Sequence, residues 1–349
     1  MTLFFVTDRS DAHVARFDQL FQTLPSEYQL VRVGYAESGE PQATVNGGAC
    51  HSWESIRESL SGEGSVVISG PLDTVSTKLE TGGFRHVGIS FATDIMVTAA
   101  RDFQALARLR DLVPHLDAVI TDNYAAENAL LSLGAAQEGI LRIPWGPAEA
   151  PIQRTMTKTE CGWPEDRLIV LYPRSLEPHY DPDVFLEALG MVVEKYPHVL
   201  AVLVETGSRV DAVKKTVADK GLNDHVHFEP LQEPEVFRAK MGSADIVVVT
   251  PQTDGTSVTV LDAMELGVPV VSSLTAGSAE WVVDGITGWT FPVGDSVSLA
   301  RAMEKALDLK DAHRELVCAQ AQRLVAEKAG WQTSSERLAR LVRGLLSMD

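Results

Sequence analysis

The residues best suited to chemistry lie between two apolar runs in the second half of this chain. Asp254 and Asp262 stand eight positions apart. Gly255, Thr256 and Ser257 follow the first of them, and small residues at a helix start present backbone N–H groups that bind phosphate oxygens. Asp262 is two turns into the same helix, where a carboxylate accepts hydrogen bonds from ribose hydroxyls. The spacing therefore predicts a site for a phosphorylated ribose.

A strand and a helix must position these residues. The run 246–250 is β-branched and unbroken, as expected of a buried parallel strand. The helix after it ends at Gly267, and Pro269 leads into the next strand, 268–273. Because the carboxyl ends of parallel strands share one edge of a sheet, we expect the helix start to lie at that edge.

Arg174 follows another apolar run, 168–173, and is expected at the same edge, where open α/β sheets bind ligands. The arginine fork holds diphosphate oxygens through two hydrogen bonds and stays charged at any physiological pH. The residues alone leave two roles open for Arg174, which are contact with a diphosphate and an ion pair with a neighbour such as Glu177.

Strand-like and helical patterns alternate along the whole chain, which predicts an α/β protein with parallel sheets. The 349 residues exceed one ordinary α/β core and suit two domains. A break at Pro144–Pro147, followed by a polar stretch to Lys158, is the natural linker. We predict strands at 3–7, 29–34, 65–69, 86–90, 118–121, 139–143, 168–173, 199–205, 226–229, 246–250 and 268–273. We predict helices at 13–24, 99–112, 125–133, 183–196, 209–220, 234–241, 296–307, 311–328 and 334–346.

Composition and charge narrow the class of protein. The net charge of −18 argues against nucleic acid as a partner, because phosphate neutralisation needs a basic face. No apolar run approaches the roughly 20 residues of a membrane helix, and the chain starts as a strand, so we expect a cytoplasmic protein with no strong membrane signal. Cys50, Cys161 and Cys318 have no metal-binding spacing and no paired framework, and we expect them to be reduced thiols.

Around Asp254 and Asp262 the chain resembles the retaining glycosyltransferases of family 4. Their signature is Glu, seven residues, Glu, followed by Ala-Met, a Gly and Pro-Val-Val or similar. Here the spacing is kept and both glutamates are aspartates. The segment Gly277–Trp289 is similar to the family's Glu-(Ile/Trp)-Val-x-Asp-Gly-x-x-Gly segment. The resemblance covers roughly 169–307 well and the first half of the chain only loosely.

The resemblance implies the GT-B fold, in which two Rossmann-like domains face each other across a cleft. Residues 1–146 would form the acceptor domain and 147–330 the donor domain, with a C-terminal helix, 331–349, crossing back to the first. The implied reaction moves a hexosyl unit from a nucleoside diphosphate sugar to an acceptor hydroxyl with retention of configuration. The acceptor would be a carbohydrate, a lipid-linked compound or a small molecule, and no metal or other cofactor is expected.

The resemblance also assigns roles to particular residues. Arg174 would stabilise the leaving nucleoside diphosphate, and His179 stands where the family usually has a lysine with the same task. Asp254 would contact the transferred sugar, and Asp262 the ribose. The remaining donor-binding residues would be Gly255, Thr256, Ser257, Val258 and Glu280. Alternatives remain open, namely a solvent-exposed turn for His179, helix capping for Asp254, a solvent-facing carboxylate for Asp262 and local capping for Glu280.

In the first domain the family's usual Gly-Gly loop is missing after the first strand. The segment from Asp8 to Phe17 resembles the Ser-x-His-x-x-Arg start found in some members, so Ser10 and His13 are candidates for contact with donor phosphate or acceptor. Helix entry without a ligand is the alternative for His13. Asp94 resembles the aspartate of the family's Trp-Gly-x-Asp segment, and is either an acceptor contact or a structural residue.

Two other classes of function stay open. The aspartates at 254 and 262 and the missing lysine are also compatible with a non-catalytic GT-B partner or regulatory protein, because a fold persists without its chemistry. A second GT-B enzyme, such as a sugar-nucleotide epimerase, is less favoured because the resemblance is to transferases.

Overall fold

A computed structural model of the chain describes residues 2–9, 12–22, 24, 27–62, 64–79, 83–144, 146 and 156–346. Ser10, Trp145 and most of the predicted linker, 147–155, lie outside the described residues. The chain divides into two compact units, Met1–Trp145 with Trp331–Asp349, and Gly146–Gly330. Each unit is built on a six-stranded sheet whose neighbouring strands are parallel.

The first unit contains nine strands and five helices before residue 146, counted over its described residues. The strands are β1 Thr2–Thr7, β2 Glu27–Arg32, β3 Gly34–Tyr35, β4 Pro41–Val45, β5 Gly48–Cys50, β6 Ser65–Ser69, β7 Arg85–Ile89, β8 Ala118–Thr121 and β9 Ile140–Arg142. The helices are α1 Ala12–Gln22, α2 Trp53–Leu60, α3 Thr77–Leu79, α4 Phe103–Leu112 and α5 Tyr124–Ser132, with wider π-helical turns at Leu72–Ser76 and Asp94–Ala99.

The second unit repeats the alternation of strands and helices. Its strands are β10 Leu168–Tyr172, β11 Val199–Glu205, β12 Val226–Pro230, β13 Ile246–Val249, β14 Val270–Ser273 and β15 Trp289–Phe291. Its helices are α6 Lys158–Cys161, α7 Pro182–Lys195, α8 Val210–Asp219, α9 Pro234–Met241, α10 Val258–Glu265, α11 Ser296–Leu307 and α12 Asp311–Ala329. The last helix, α13 Trp331–Leu346, groups with the first unit.

The strand order decides where each unit offers a ligand site. The first sheet has the order β2-β1-β6-β7-β8-β9, and the second has β12-β11-β10-β13-β14-β15. In each sheet the strands that follow the first one are added on one side of it, and the later strands are added on its other side. The crevices at these switch points, between β1 and β6 and between β10 and β13, are where open α/β sheets bind ligands.

The second sheet is buried on both faces, which explains its unbroken apolar strands. Val170 and Tyr172 of β10 pack into one hydrophobic cluster, and Ile169 and Leu171 pack into another. Since successive side chains of a strand point to opposite faces, a strand covered on both sides is apolar at every position. The predicted α/β class with parallel sheets is confirmed by this architecture.

Several elements were absent from the sequence-based prediction, among them helix α2 at Trp53–Leu60 and the short helix α6. The first unit has a small antiparallel sheet, β3-β4-β5, and β15 was not predicted at the edge of the second sheet. The β4-β5 turn contains Asn46 and Gly47, with φ of 50° and 79°. Asn-Gly between short strands is a strong hairpin signal, so this turn was detectable. No helix of the described residues is long and apolar enough to span a membrane.

Candidate active site

Two neighbouring strands of the second sheet bring Arg174 and Asp254 together. Arg174 follows the carboxyl end of β10, and Asp254 follows that of β13, which pairs with β10. Arg174 Nη2 lies 3.2 Å from Asp254 Oδ2, and the two side chains are 10% and 19% exposed. The ion pair therefore lies at the switch point of the sheet, where ligands of this architecture bind.

Glu177, the alternative partner of Arg174, is engaged elsewhere. Its Oε2 accepts a hydrogen bond from the Ser208 hydroxyl at 2.5 Å, and its Oε1 accepts one from the Ser208 backbone N–H at 2.7 Å. These two donors hold the pKa of Glu177 below its ordinary value. The charged partner of Arg174 is thus a residue 80 positions away in sequence and not its neighbour.

An aromatic ring and two hydroxyls fix the direction of the Arg174 side chain. Its Cζ lies 3.9 Å from the centroid of the Tyr180 ring, a cation–π contact. Its Nη1 donates to Ser257 Oγ at 3.2 Å and to Thr259 Oγ1 at 3.4 Å. The guanidinium is therefore held at the first turn of α10. Sequence analysis did not single out Tyr180 or Thr259, although both lie in the segments that carry the predicted site.

Hydrogen bonds fasten the loop after β10 to the loop after β13. The Tyr180 carbonyl accepts from the Tyr172 hydroxyl at 2.7 Å and from the Thr250 hydroxyl at 2.5 Å. The Gln252 N–H donates to the His179 carbonyl at 2.9 Å. These contacts join the two loops on either side of Arg174.

The start of α10 depends on close packing of backbone. Ser257 is the N-cap, and its Oγ accepts a hydrogen bond from the Val260 N–H at 3.4 Å. Asp254, for which capping was the alternative role, lies three residues before this cap. A Cβ atom at Gly277 would lie 1.9 Å from the Gly255 carbonyl oxygen. Only glycine allows this approach, which holds the segment carrying Asp254 in place.

Three further predicted residues surround this helix start. Thr256 is buried, and Val258 is half-buried in the first turn of α10. Glu280 ends the short 3₁₀ turn Ser278–Glu280 and is half-buried. The turn begins next to Gly277, so it belongs to the loop that packs against Gly255.

Asp262 lies inside the unit and forms an ion pair. Its side chain is 8% exposed, and its Oδ1 lies 3.2 Å from Nε of Arg238 on α9. The alternative of a solvent-facing carboxylate does not describe this position. Sequence analysis missed Arg238, because a charged residue in an amphipathic helix usually faces solvent. No local pattern marks it as buried.

His179 lies beside the Arg174 site. Its ring centroid lies 4.0 Å from that of Tyr180. Partial burial and the positive charge of Arg174 lower the pKa of His179 from its ordinary value. A lowered pKa favours the neutral imidazole, and a bound anion that raises this pKa would let His179 supply a second positive charge.

Asp94 in the first unit is 1% exposed, and its carboxylate accepts hydrogen bonds from its own loop and from the turn after β6. Its Oδ2 accepts from the Leu72 N–H at 2.9 Å, and its Oδ1 accepts from the Ser90 hydroxyl at 2.8 Å and the Ile95 N–H at 3.0 Å. Burial raises the pKa of Asp94 to about 6. These contacts favour the structural alternative for Asp94, since it joins the two turns that follow β6 and β7.

The second unit therefore brings most of the predicted residues into one loop cluster. Arg174, His179, Asp254 and the start of α10 adjoin one another, while Asp262 is held separately by Arg238. In the first unit, Ser10 lies outside the described residues. His13 is in α1, and its side chain is not among those described. Among the residues that the structure describes, no group of three or more His, Cys, Asp and Glu side chains is arranged to hold a metal ion.

Solved structures with the same architecture identify the class of fold. The Anabaena protein HepE in complex with UDP-glucose has a TM-score of 0.78 and 16% identity, and the match covers 99% of this chain and 100% of that one. Sucrose-phosphate synthase from Thermosynechococcus elongatus has a TM-score of 0.79 and 16% identity, with both chains covered completely. The protein has the GT-B fold, with two Rossmann-like units.

The family follows from the sequence of the second unit. Residues 153–323 match the family described as Glycosyl transferases group 1. D-inositol 3-phosphate glycosyltransferase of Streptomyces griseus subsp. griseus is 25% identical over 210 residues, which are 58% of this chain and 44% of the relative. The chain spans about half the length of the curated relatives it matches.

Proposed function

We propose that the protein is a retaining glycosyltransferase that moves a hexosyl unit from a nucleoside diphosphate sugar to an acceptor hydroxyl. The observation that carries this proposal is the pairing of Arg174 and Asp254 at the switch point, beside the start of α10. The match of residues 153–323 to the glycosyl transferases group 1 family supports the same reaction. The second unit takes the donor, and the first takes the carbohydrate, lipid-linked or small-molecule acceptor.

The proposed chemistry centres on the departing diphosphate. The bond between the sugar anomeric carbon and the phosphate oxygen breaks, and its electron pair stays on the diphosphate. The acceptor oxygen bonds to the same face of the sugar, and its proton passes to the departing phosphate oxygen. Arg174 and the N-terminus of α10 stabilise the growing negative charge without a metal. Because these donors are already fixed, little reorganisation accompanies the reaction.

Binding of a nucleoside diphosphate is the first test. We expect titration calorimetry with UDP, GDP and ADP in the presence of EDTA to give saturable binding of at least one of them. UDP is the first probe because HepE, which has the same fold, was solved with UDP and UDP-glucose. A panel of nucleotide sugars, with mass detection of the released diphosphate, then identifies the donor. Binding that appears only after addition of Mg²⁺ or Mn²⁺ contradicts the metal-independent mechanism. Nucleotide-sugar binding without transfer or hydrolysis favours a non-catalytic protein.

The two aspartates should differ in which ligands they affect. Asp262→Asn is expected to lower the affinity for UDP and for UDP-sugar alike by about tenfold or more. Both complexes lose one charged hydrogen bond to the ribose, worth roughly 1.5–3 kcal/mol. Asp254→Asn removes the carboxylate that neutralises Arg174, so UDP affinity should not fall, whereas UDP-sugar affinity should. Parallel calorimetric titrations of both variants show the pattern. Equal weakening of UDP by both substitutions contradicts the assignment.

Diphosphate binding should be coupled to protonation of His179. Its pKa is lowered in the free protein, and a bound diphosphate beside it raises that pKa. Protons are then taken up on binding, so affinity increases as the pH falls, by up to about tenfold per unit of pKa difference. Calorimetry in buffers of different ionisation enthalpy measures the proton uptake. His179→Gln is the control, and an identical proton uptake in this variant assigns it to the ligand phosphate instead.

A further inference from the structure

Arg238 joins two helices of the donor-binding unit through a nearly buried charge. Its side chain, on α9, is 7% exposed. Its Nε lies 3.2 Å from Asp262 Oδ1, and its Nη2 contacts Glu265 Oε2. Asp262 and Glu265 are three residues apart on α10, so one guanidinium spans two carboxylates on one face of that helix.

The burial of this cluster is uneven. The Asp262 side chain is 8% exposed, while that of Glu265 is 44% exposed. A buried ion pair is a weak source of stability, because loss of hydration offsets most of the attraction between the charges. The ion pair acts mainly on geometry, because the rigid arginine fork restricts the orientation of the carboxylate that it contacts. Asp262 is thus the carboxylate whose direction Arg238 determines.

We propose that Arg238 is a positioning residue that holds the Asp262 carboxylate in the orientation that binds ribose, and that it thereby sets a preference for ribonucleotides over 2′-deoxyribonucleotides. This inference rests on the proposed donor role of the second unit. An aspartate is one methylene shorter than a glutamate, so its oxygens stay close to the backbone of α10. Its reach toward a ligand is short, so the contact with Arg238 bears directly on where its oxygens lie.

The same helix offers a matched control. Lys240, two residues after Arg238 on α9, has a side chain that is 12% exposed and pairs with the buried Glu229. Replacement of either residue by methionine removes one buried charge from one helix, and only Arg238→Met removes the contact with Asp262. Any effect on ligand choice that appears in Arg238→Met alone is therefore not a general result of disturbing α9.

The experiment compares UDP with 2′-deoxy-UDP, and the adenosine and guanosine pairs likewise, by titration calorimetry. We expect the wild-type protein to prefer the ribonucleotide by about tenfold or more. In Arg238→Met that ratio should fall toward one through weaker ribonucleotide binding, with 2′-deoxynucleotide affinity little changed. Lys240→Met should keep the wild-type ratio. In an Asp262→Asn background, Arg238→Met should cause no further loss of discrimination.

The outcomes separate this inference from the proposed function. A wild-type protein that binds UDP without preferring ribose, or a folded Arg238→Met variant with an unchanged ratio, overturns the role of Arg238 and leaves nucleotide binding intact. A wild-type protein that binds none of these nucleotides overturns both. If Arg238→Met does not fold, Arg238→Lys and Glu265→Gln replace it, since each alters the anchor of Asp262 and keeps a charge on α9. A normal ribose preference in both of these variants overturns the inference.

Discussion

Replacement of Arg174 by alanine is expected to lower the turnover of the nucleotide sugar by two to three orders of magnitude, with a much smaller change in donor affinity. Negative charge on the diphosphate grows as the glycosidic bond breaks, so the guanidinium contributes more in the transition state than in the ground state. Removal of one such preorganised donor corresponds to roughly 2.7–4 kcal/mol of transition-state stabilisation. Steady-state kinetics of donor hydrolysis or transfer separate kcat from KM.

The surroundings of Arg174 define the controls. Arg174→Ala leaves Asp254 without its partner beside the diphosphate, so repulsion adds to the loss of the donor. Arg174→Lys keeps the positive charge and loses the two-pronged guanidinium, so its turnover should lie between that of the wild type and that of Arg174→Ala. Arg323→Ala removes an exposed arginine of the same unit, which pairs with Glu327 on α12, and should leave turnover unchanged. An unchanged kcat in Arg174→Ala would assign the arginine to structure alone.

Asp94 should make the stability of the first unit depend on pH in an unusual direction. Its pKa in the folded protein is about 6, above the ordinary value of 3.8, because burial disfavours the charged carboxylate. A group whose pKa is raised by folding stabilises the folded state below its unfolded pKa, and that stability is lost as the pH rises through the folded pKa. A rise of about two units corresponds to about 3 kcal/mol, lost between about pH 4 and pH 7.

The measurement compares wild type with Asp94→Asn across that pH range. Asparagine keeps the size of the side chain and does not titrate, so the difference in unfolding free energy between the two proteins isolates Asp94. We expect wild type to lose its advantage as the pH rises. Urea unfolding followed by hydrogen exchange in peptides from 65–112 reports on this unit alone, because two units need not unfold together. Parallel pH curves for the two proteins would mean that Asp94 titrates at its ordinary pKa.

The regular elements were predictable because long apolar runs and helical periodicity are local patterns. The prediction gives β11, α9 and α11 with their observed bounds, and β10 and α8 within one residue at each end. Short elements with mixed composition were not predicted, as the two-residue β3 and three-residue β15 illustrate. A strand of two or three residues has too few positions to display a period.

The candidate site was predictable only as residue types at one sheet edge. The spacing from Asp254 to Asp262, the small residues between them and the arginine after a buried strand are all visible in the sequence. Which carboxylate pairs with Arg174 was not visible, and the neighbouring Glu177 was as reasonable a partner as Asp254. In the structure, Glu177 accepts hydrogen bonds from Ser208, and Arg174 pairs with Asp254.

The sequence by itself determined the class of this protein, because alternating strand and helix patterns and a motif within one βα unit are properties of contiguous residues. Only the tertiary structure decided the partners of the charged groups. Arg174 meets Asp254 because β10 and β13 are neighbours in a sheet whose order is not sequential. Arg238 meets Asp262 because α9 and α10 contribute to the same hydrophobic cluster, which also contains residues of β13 and β14. Such pairs depend on strand order and helix packing, which local periodicity does not encode. The pairing in turn determines whether a buried charged side chain holds a neighbouring side chain in place or contacts the substrate itself.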